Sequence, residues 1–238
     1  MEAGNPAAMT GVAERFFRES GYWRDWSRVP DATVDIAYAL RAVEPSDRLI
    51  LDAPCGRGRL LTACATRAPA ARLVGLDVSQ DMAQQARCAV PGARIEVGSV
   101  YAMPFRDRTF DLVLCHESFM HFDDPRRALA ELTRVSRDRV YFSVTTRRQL
   151  NTLLRRIGLL GTSDVPHWTY DLEDVQALLP AGFRWSITGG ILVGRKALRL
   201  SHAAHLRLHR ALGHLVPQGV LTRVGQTLFV YGRRTWRP

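Results

Sequence analysis

Short apolar runs alternate with amphipathic stretches along most of this 238-residue chain. Seven runs have the length and composition of buried strands: residues 48–53, 72–78, 94–98, 110–115, 139–144, 183–188 and 227–231. Helical patterns occupy intervals between them: residues 60–67, a helix capped by Ser79, a helix opened by Pro125 after Asp123 and Asp124, and residues 172–179 after Asp171. This alternation predicts an α/β fold whose seven-stranded, mostly parallel sheet carries helices on both faces.

Two further helical segments flank this pattern. Residues 1–45 form an aromatic-rich N-terminal segment, which we expect to cover a ligand or the mouth of its site. Residues 195–216 form a helical insertion before the last strand. We therefore expect one domain over residues 1–238, with a ligand-binding core at 46–145 and a substrate side at 146–238.

Composition narrows the class of protein only slightly. The formal net charge is +10, with 33 Lys and Arg against 23 Asp and Glu, and Lys196 is the sole lysine. The arginines are scattered, so an anionic substrate, RNA and a membrane surface all remain compatible with the charge. The apolar runs are too short for a membrane span, no secretory signal is evident, and the four cysteines lack metal-ligand spacing. A cytoplasmic protein with reduced cysteines and no metal is expected.

A glycine-containing turn follows the first predicted strand. It contains Asp52, Pro54, Gly56 and Gly58, and the two glycines allow a ligand to approach the backbone closely. A dinucleotide-binding loop would have a third glycine where this chain has Leu61, so the loop suits a ligand without a pyrophosphate. Asp77, which ends the second strand, can accept hydrogen bonds from both hydroxyls of a ribose.

Three segments in order resemble motifs of the class I S-adenosylmethionine-dependent methyltransferases, in particular the small-molecule branch often labelled type 11. They are LDAPCGRGRL, GLDVSQDMAQQA, and the stretch from GSVYAMPF to LTRV. The resemblance implies a Rossmann-like fold that binds S-adenosylmethionine and releases S-adenosylhomocysteine. It implies these cofactor-binding residues: Asp52, Pro54, Gly56, Gly58, Asp77, Val78, Met82, Ser99, Val100 and Cys115.

This chain departs from the family pattern at two of those positions. Pro54 stands where the family usually has glycine, and Ser99 stands where an acid commonly meets the adenine amino group. A hydroxyl can still form a hydrogen bond, so we expect Ser99 to give a weaker contact in the same pocket.

The residues after the fourth strand are candidates for acid–base chemistry. His116, Glu117 and His121 follow that strand, and an imidazole can act as a base near neutral pH. Because the cofactor brings an activated methyl group, such a base is optional. The Glu117–His121 spacing also fits a role in the cofactor site or in the loop itself.

Substrate contacts are expected outside the common core. Tyr22, Trp26, His167 and Trp168 are candidates because their rings can stack on a flat acceptor, and lid packing is the alternative. Residues 196–215 predict an amphipathic helix with Ala204, Leu208, Ala211 and Leu215 on its apolar stripe and exposed histidines. Such a basic helix can contact an anionic membrane surface or form a solvated face.

The sequence therefore predicts an enzyme that methylates oxygen or nitrogen of a small organic molecule, in a biosynthetic pathway. One alternative is methylation of RNA or protein, but no NPPY-like tetrapeptide follows the fourth strand and nucleic acid is not the expected partner. Another is a non-catalytic, cofactor-binding partner or sensor. A nicotinamide oxidoreductase is disfavoured by Leu61. The oligomeric state and the acceptor stay open.

Overall fold

The computed structural model describes residues 12–19, 33–147, 168–190 and 201–235. Its elements are α1 (Val12–Glu19), α2 (Val34–Ala39), β1 (Leu49–Asp52), α3 (Arg59–Arg67), β2 (Arg72–Asp77), α4 (Gln80–Ala89), β3 (Arg94–Val97), β4 (Phe110–Cys115), α5 (Pro125–Val135), β5 (Ser136–Thr145), α6 (Leu172–Leu178), β6 (Phe183–Gly190), α7 (His202–Leu215), α8 (Gln218–Val224) and β7 (Thr227–Arg234). A short 3₁₀ turn, Phe119–His121, follows β4.

The strands form one sheet in the order β3-β2-β1-β4-β5-β7-β6. The first five are parallel, and β7 runs antiparallel to both β5 and β6. The predicted seven-stranded, mostly parallel, Rossmann-like sheet is confirmed. Because β1 lies between β2 and β4, the strand order reverses there, and ligands bind outside the carboxyl ends of the strands at such a switch point.

Alternating side chains of each strand divide the core between the two faces of the sheet. In β4, Val113 and Cys115 pack on the face covered by α5 and α6, whereas Leu112 and Leu114 pack on the face covered by α2, α3 and α4. All four side chains are fully buried. Central parallel strands covered on both faces are apolar at successive positions for this reason.

Helix starts follow the predicted caps. The Ser79 hydroxyl accepts a hydrogen bond from the Met82 N–H at 3.4 Å, and the Asp124 carboxylate accepts one from the Arg127 N–H at 3.0 Å, with Pro125 in the first turn of α5. The Asp171 N–H donates to the Asp174 carboxylate at 2.8 Å, in a capping box at the start of α6. These local contacts fix the residue at which each helix begins.

The predicted faces of the helix at 196–215 are wrong over the part that the structure describes, α7. His205 and His209 are each only 7% exposed, and their rings pack edge to face with centroids 4.5 Å apart. Ala211 is exposed, and Leu215 is 77% exposed. The inner face is thus rotated by one residue, about 100° around the helix axis. Imidazole rings can supply the flat surface that packs against a neighbour, which a pattern of aliphatic residues does not reveal. Residues 196–200 lie outside the described residues.

Candidate active site

The turn after β1 is held to the neighbouring strands by backbone hydrogen bonds. The Ala53 N–H donates to the Leu114 carbonyl at 2.8 Å, and the Cys55 N–H donates to the Leu76 carbonyl at 2.9 Å. The half-buried ring of Pro54 follows a cis peptide bond in the same turn. The turn is therefore fixed relative to the carboxyl ends of β2 and β4.

Both glycines of this turn have positive φ, but they serve different purposes. Gly58 (φ +85°) caps α3, and a Cβ there would lie 3.2 Å from the Cα of Ala86 in α4. Gly58 thus allows the close helix packing that a dinucleotide motif assigns to its third glycine. Gly56 (φ +51°) has no atom within 4 Å of the place a Cβ would occupy, which leaves its side of the turn open to a ligand.

Asp77 joins the turn to the end of β2. Its carboxylate accepts hydrogen bonds from the Gly56 N–H at 2.8 Å and the Ser79 N–H at 2.9 Å. Burial raises the pKa of Asp77 to about 6, although these backbone donors oppose the shift. Each carboxylate oxygen has two lone pairs, so Asp77 can still accept hydroxyl donors.

Asp52, at the end of β1, is a second buried carboxyl in the same turn. It is 2% exposed, and its Oδ1 has no hydrogen-bond partner among the described residues. Burial, and then the charge of Asp77, raises the pKa of Asp52 well above its usual range. Two desolvated carboxyls that repel each other favour a cationic group between them.

The loop after β3 borders Asp77 on the opposite side from β1. The Gly98 N–H donates to the Asp77 carbonyl at 2.9 Å, and the next residue is Ser99. The Ser99 hydroxyl accepts from the Tyr101 N–H at 3.0 Å and donates to the carboxylate of Glu14 in α1. Three other predicted cofactor residues are at least partly buried near these strand ends: Val78, Met82 and Val100.

His116 is engaged at both ring nitrogens. Its Nδ1 lies 3.0 Å from the Tyr141 hydroxyl, its Nε2 lies 3.1 Å from the Asp35 carboxylate, and its side chain is 7% exposed. Burial opposes ionisation of Asp35, but the hydrogen bond and charge of His116 outweigh it and hold the pKa of Asp35 below its usual range. The preceding predicted cofactor residue, Cys115, is fully buried. His116 is thus built into a hydrogen-bonded chain and offers no nitrogen to a substrate.

Glu117 has an unusual backbone conformation. Its φ is +51°, and its N–H donates to the Ser143 hydroxyl at 2.8 Å in β5. Desolvation by the surrounding backbone and side chains raises the pKa of Glu117, and the charge of His116 opposes that shift. A strained non-glycine residue held by its neighbours is a frequent feature of functional sites.

His121 and Trp168 lie at the same end of the sheet. The ring of His121 contacts Phe17 of α1 at a centroid distance of 5.0 Å. The Trp168 N–H donates to the Met120 carbonyl at 2.6 Å, so Trp168 is adjacent to the turn that carries His121. The buried indole N–H of Trp168 has no hydrogen-bond partner within the described ranges. The other predicted substrate residues, Tyr22, Trp26 and His167, lie outside the described residues.

The structure therefore brings the predicted cofactor residues to the carboxyl ends of neighbouring strands. It places Phe17, from the predicted aromatic cover, beside His121, and it adds residues that the sequence did not indicate: Glu14, Asp35 and Tyr141. Glu14 and Asp35 contact residues 85 and 81 positions away, and no local pattern signals such contacts. Within the described residues, no group of three or more His, Cys, Asp or Glu could hold a metal ion, and no helix could cross a membrane.

A Rossmann-like sheet with this glycine turn and a carboxylate after β2 defines an adenosyl-binding α/β domain. Residues 51–144 match the family described as "Methyltransferase domain". Residues 51–144 thus carry a methyltransferase domain, as the sequence motifs predict.

Curated relatives share this part of the chain. An uncharacterised methyltransferase of Schizosaccharomyces pombe is 33% identical over 111 residues, which cover 42% of this chain and 40% of that protein. The demethylmenaquinone methyltransferase of Deinococcus radiodurans is 29% identical over 174 residues, covering 66% and 69%. The chain spans 40% and 37% of the first two curated relatives that it matches.

Solved structures share the fold over nearly the whole chain. The magnesium protoporphyrin IX methyltransferase of Synechocystis, solved with bound S-adenosylhomocysteine, gives a TM-score of 0.64 at 17% identity and covers 94% of this chain and 99% of that chain. A plantazolicin methyltransferase gives a TM-score of 0.65 at 16% identity, covering 97% of both chains. At these identities the likeness shows the fold alone.

Proposed function

We propose that this protein transfers a methyl group from S-adenosylmethionine to oxygen or nitrogen of a small organic molecule in a biosynthetic pathway. The observation that carries the proposal is the buried carboxyl pair, Asp52 and Asp77, beside the open face of Gly56. The ammonium of S-adenosylmethionine fits one carboxyl of that pair, and its ribose hydroxyls fit the other. The pyrophosphate of a nicotinamide cofactor would instead bring negative charge towards two carboxyls.

Residues of this turn and of the neighbouring strand ends each suit a different part of the cofactor. Asp52 Oδ1 suits the ammonium, since a buried carboxylate oxygen without a partner gains most from a charged donor. Asp77 keeps lone pairs for the ribose hydroxyls, and Met82 and Val100 supply apolar surface for the base. When bound, the cofactor supplies a methyl group already activated for transfer, so the chain mainly aligns the acceptor.

Among the three residues predicted as bases, Glu117 is the strongest candidate to remove a proton from the acceptor. His116 is a weaker candidate, because Asp35 and Tyr141 engage both of its ring nitrogens. Glu117 is exposed, so its carboxyl can meet an acceptor, and the hydrogen bond from its N–H to the Ser143 hydroxyl holds its backbone in place. His121 remains a second candidate, held against Phe17.

A flat, apolar acceptor fits the end of the site where Trp168 and His121 lie. Trp168 is half-buried beside the turn that carries His121, so the accessible part of its ring can stack on such an acceptor. Among the curated relatives, the demethylmenaquinone methyltransferase carries a name that refers to a small molecule. That name supports a small-molecule acceptor without selecting one.

Isothermal titration calorimetry tests the cofactor assignment directly. The purified protein is titrated with S-adenosylmethionine, S-adenosylhomocysteine and NAD. Saturable binding of both adenosyl ligands, without binding of NAD, is expected. Asp77→Asn should weaken that binding, whereas the matched variant Asp81→Asn, on the exposed start of α4, should not. A folded protein that binds neither adenosyl ligand would refute the proposal. Transfer of labelled methyl to a panel of small acceptors then tests the reaction.

A further inference from the structure

The carboxylate of Glu14, in helix α1, lies at the loop after β3, where the base of the bound nucleoside is expected. We propose that Glu14 is a cofactor-binding residue that accepts a hydrogen bond from the adenine amino group. This inference rests on the proposed function, because it requires an adenosyl ligand in the site.

The sheet order gives the direction in which the ligand lies. The strands run β3-β2-β1-β4, with Asp52 at the end of β1 and Asp77 at the end of β2. If Asp52 binds the ammonium and Asp77 binds the ribose, the base continues to the next strand end, that of β3. Asp77 is paired in register with Val97, so Ser99 is only two residues beyond that pair.

Without Glu14, the Ser99 hydroxyl would present its proton to the adenine ring. Its oxygen already accepts the Tyr101 N–H at 3.0 Å, and its single proton is given to the Glu14 carboxylate. The group left to face a ligand is therefore Glu14, which has spare lone pairs and no proton to donate. Glu14 converts this position from a donor into an acceptor, so it suits a base edge that carries an amino group.

Helix α1 is placed for this role by a second contact. Phe17, one helical turn after Glu14, packs against His121 with ring centroids 5.0 Å apart. The side chains of Glu14 and Phe17 are both partly buried, whereas Arg15, Arg18 and Glu19 are exposed. The inner face of α1 is therefore the one that carries Glu14.

Two ligands and three proteins test the assignment by calorimetry. The ligands are S-adenosylhomocysteine and its 6-deamino analogue, in which hydrogen replaces the adenine amino group. The proteins are the parent, Glu14→Ala and Glu19→Ala, the last being a matched carboxyl on the exposed side of α1. A charge-assisted hydrogen bond predicts that the parent prefers the amino ligand by 10-fold or more, on the order of the cost of leaving such a bond unmade.

Glu14→Ala should lose at least 10-fold in affinity for S-adenosylhomocysteine and bind the deamino analogue within about 3-fold of the parent. Glu19→Ala should behave as the parent with both ligands. Equal weakening of both ligands by Glu14→Ala would show that α1 only covers the site, and no weakening would show that it does not reach the base. Either result overturns the inference. If the parent itself binds no S-adenosylhomocysteine, the proposed function fails first.

Discussion

The carboxyl of Asp77 couples ligand binding to pH. Burial raises its pKa from 3.8 to about 6, so in the free, folded protein this carboxyl retains a proton where the unfolded chain has lost it. That contribution to stability is present below about pH 4 and is lost as pH rises through 6. The ionised carboxyl is the stronger acceptor for ribose hydroxyls, so the same ionisation favours binding.

We therefore expect the affinity for S-adenosylhomocysteine to fall as pH decreases below about 6, by up to tenfold per pH unit. Calorimetry at pH 5, 6, 7 and 8, in buffers of different ionisation enthalpy, measures both the affinity and the protons released. Asp77→Asn should bind weakly throughout and lack the break near pH 6. Equal affinity of the parent at pH 5 and pH 7 would argue against a titrating Asp77 in the cofactor site.

The assignment of Glu117 as base predicts a division between turnover and binding. Glu117→Gln should lower kcat about 10²- to 10³-fold and leave the affinity for S-adenosylhomocysteine within a few-fold of the parent. His121→Gln provides the comparison at the second candidate. If turnover falls with His121→Gln and not with Glu117→Gln, the two residues exchange roles. The measurement requires an acceptor found in the methyl-transfer screen.

At the scale of single residues, the sequence predicts the roles of those whose contacts are with residues nearby in the chain. Ser79 and Asp124 are predictable as caps because their partners are three residues away. Asp77 is predictable because it ends an apolar run. The contact of Glu14 with Ser99 is not, because it depends on how α1 packs on the finished sheet. The partners of His116 are also distant in sequence, with Asp35 81 residues away and Tyr141 25 residues away.

Among the elements, β6 and α8 approach so closely that glycine is required at the contact. A Cβ on Gly189 would lie 2.0 Å from the carbonyl carbon of Leu221, in the backbone of α8. Backbone atoms cannot move aside as a flexible side chain can. We expect Gly189→Ala to lower the free energy of unfolding by about 1–3 kcal/mol, by overpacking.

Chemical denaturation of the purified variants measures this loss. Gly219→Ala is the matched control, because it lies in α8 with no atom within 4 Å of the added methyl. That change should leave stability unchanged or raise it by up to about 1 kcal/mol, since alanine favours a helix. A Gly189→Ala protein as stable as the parent would mean that α8 is not held against β6.

Strands were predictable to within a few residues because a buried strand is a contiguous apolar run. The start of β5 was predicted three residues late, because Ser136–Arg139 is polar although it continues the strand. The short helix α8 was not predicted, since Gln218, Gly219 and Pro217 favour a turn. The face of α7 was predicted wrongly because the buried side chains among those described in this helix are His205 and His209. Histidine side chains can pack in either polar or apolar surroundings. A pattern that divides residues only into polar and apolar therefore cannot assign their face of the helix.

For the whole molecule, a ligand that binds only the folded state must raise the unfolding temperature. At 100 times its dissociation constant, S-adenosylhomocysteine should add about 2.7 kcal/mol, and for a domain of this size that corresponds to roughly 5–10 °C. Differential scanning fluorimetry measures the shift. NAD should give none, and Asp77→Asn should show a smaller shift at the same ligand concentration. A shift with NAD as large as with S-adenosylhomocysteine contradicts the assigned ligand class.

Helix α1 contacts both the loop after β3, through Glu14, and the turn after β4, through Phe17. A ligand that extends between those two loops would lie beneath α1, and its release would require both contacts to break, whether or not the methyl group has been transferred. We therefore expect release of S-adenosylhomocysteine to limit turnover, which would be visible as a burst of one product equivalent per enzyme followed by a slower linear phase.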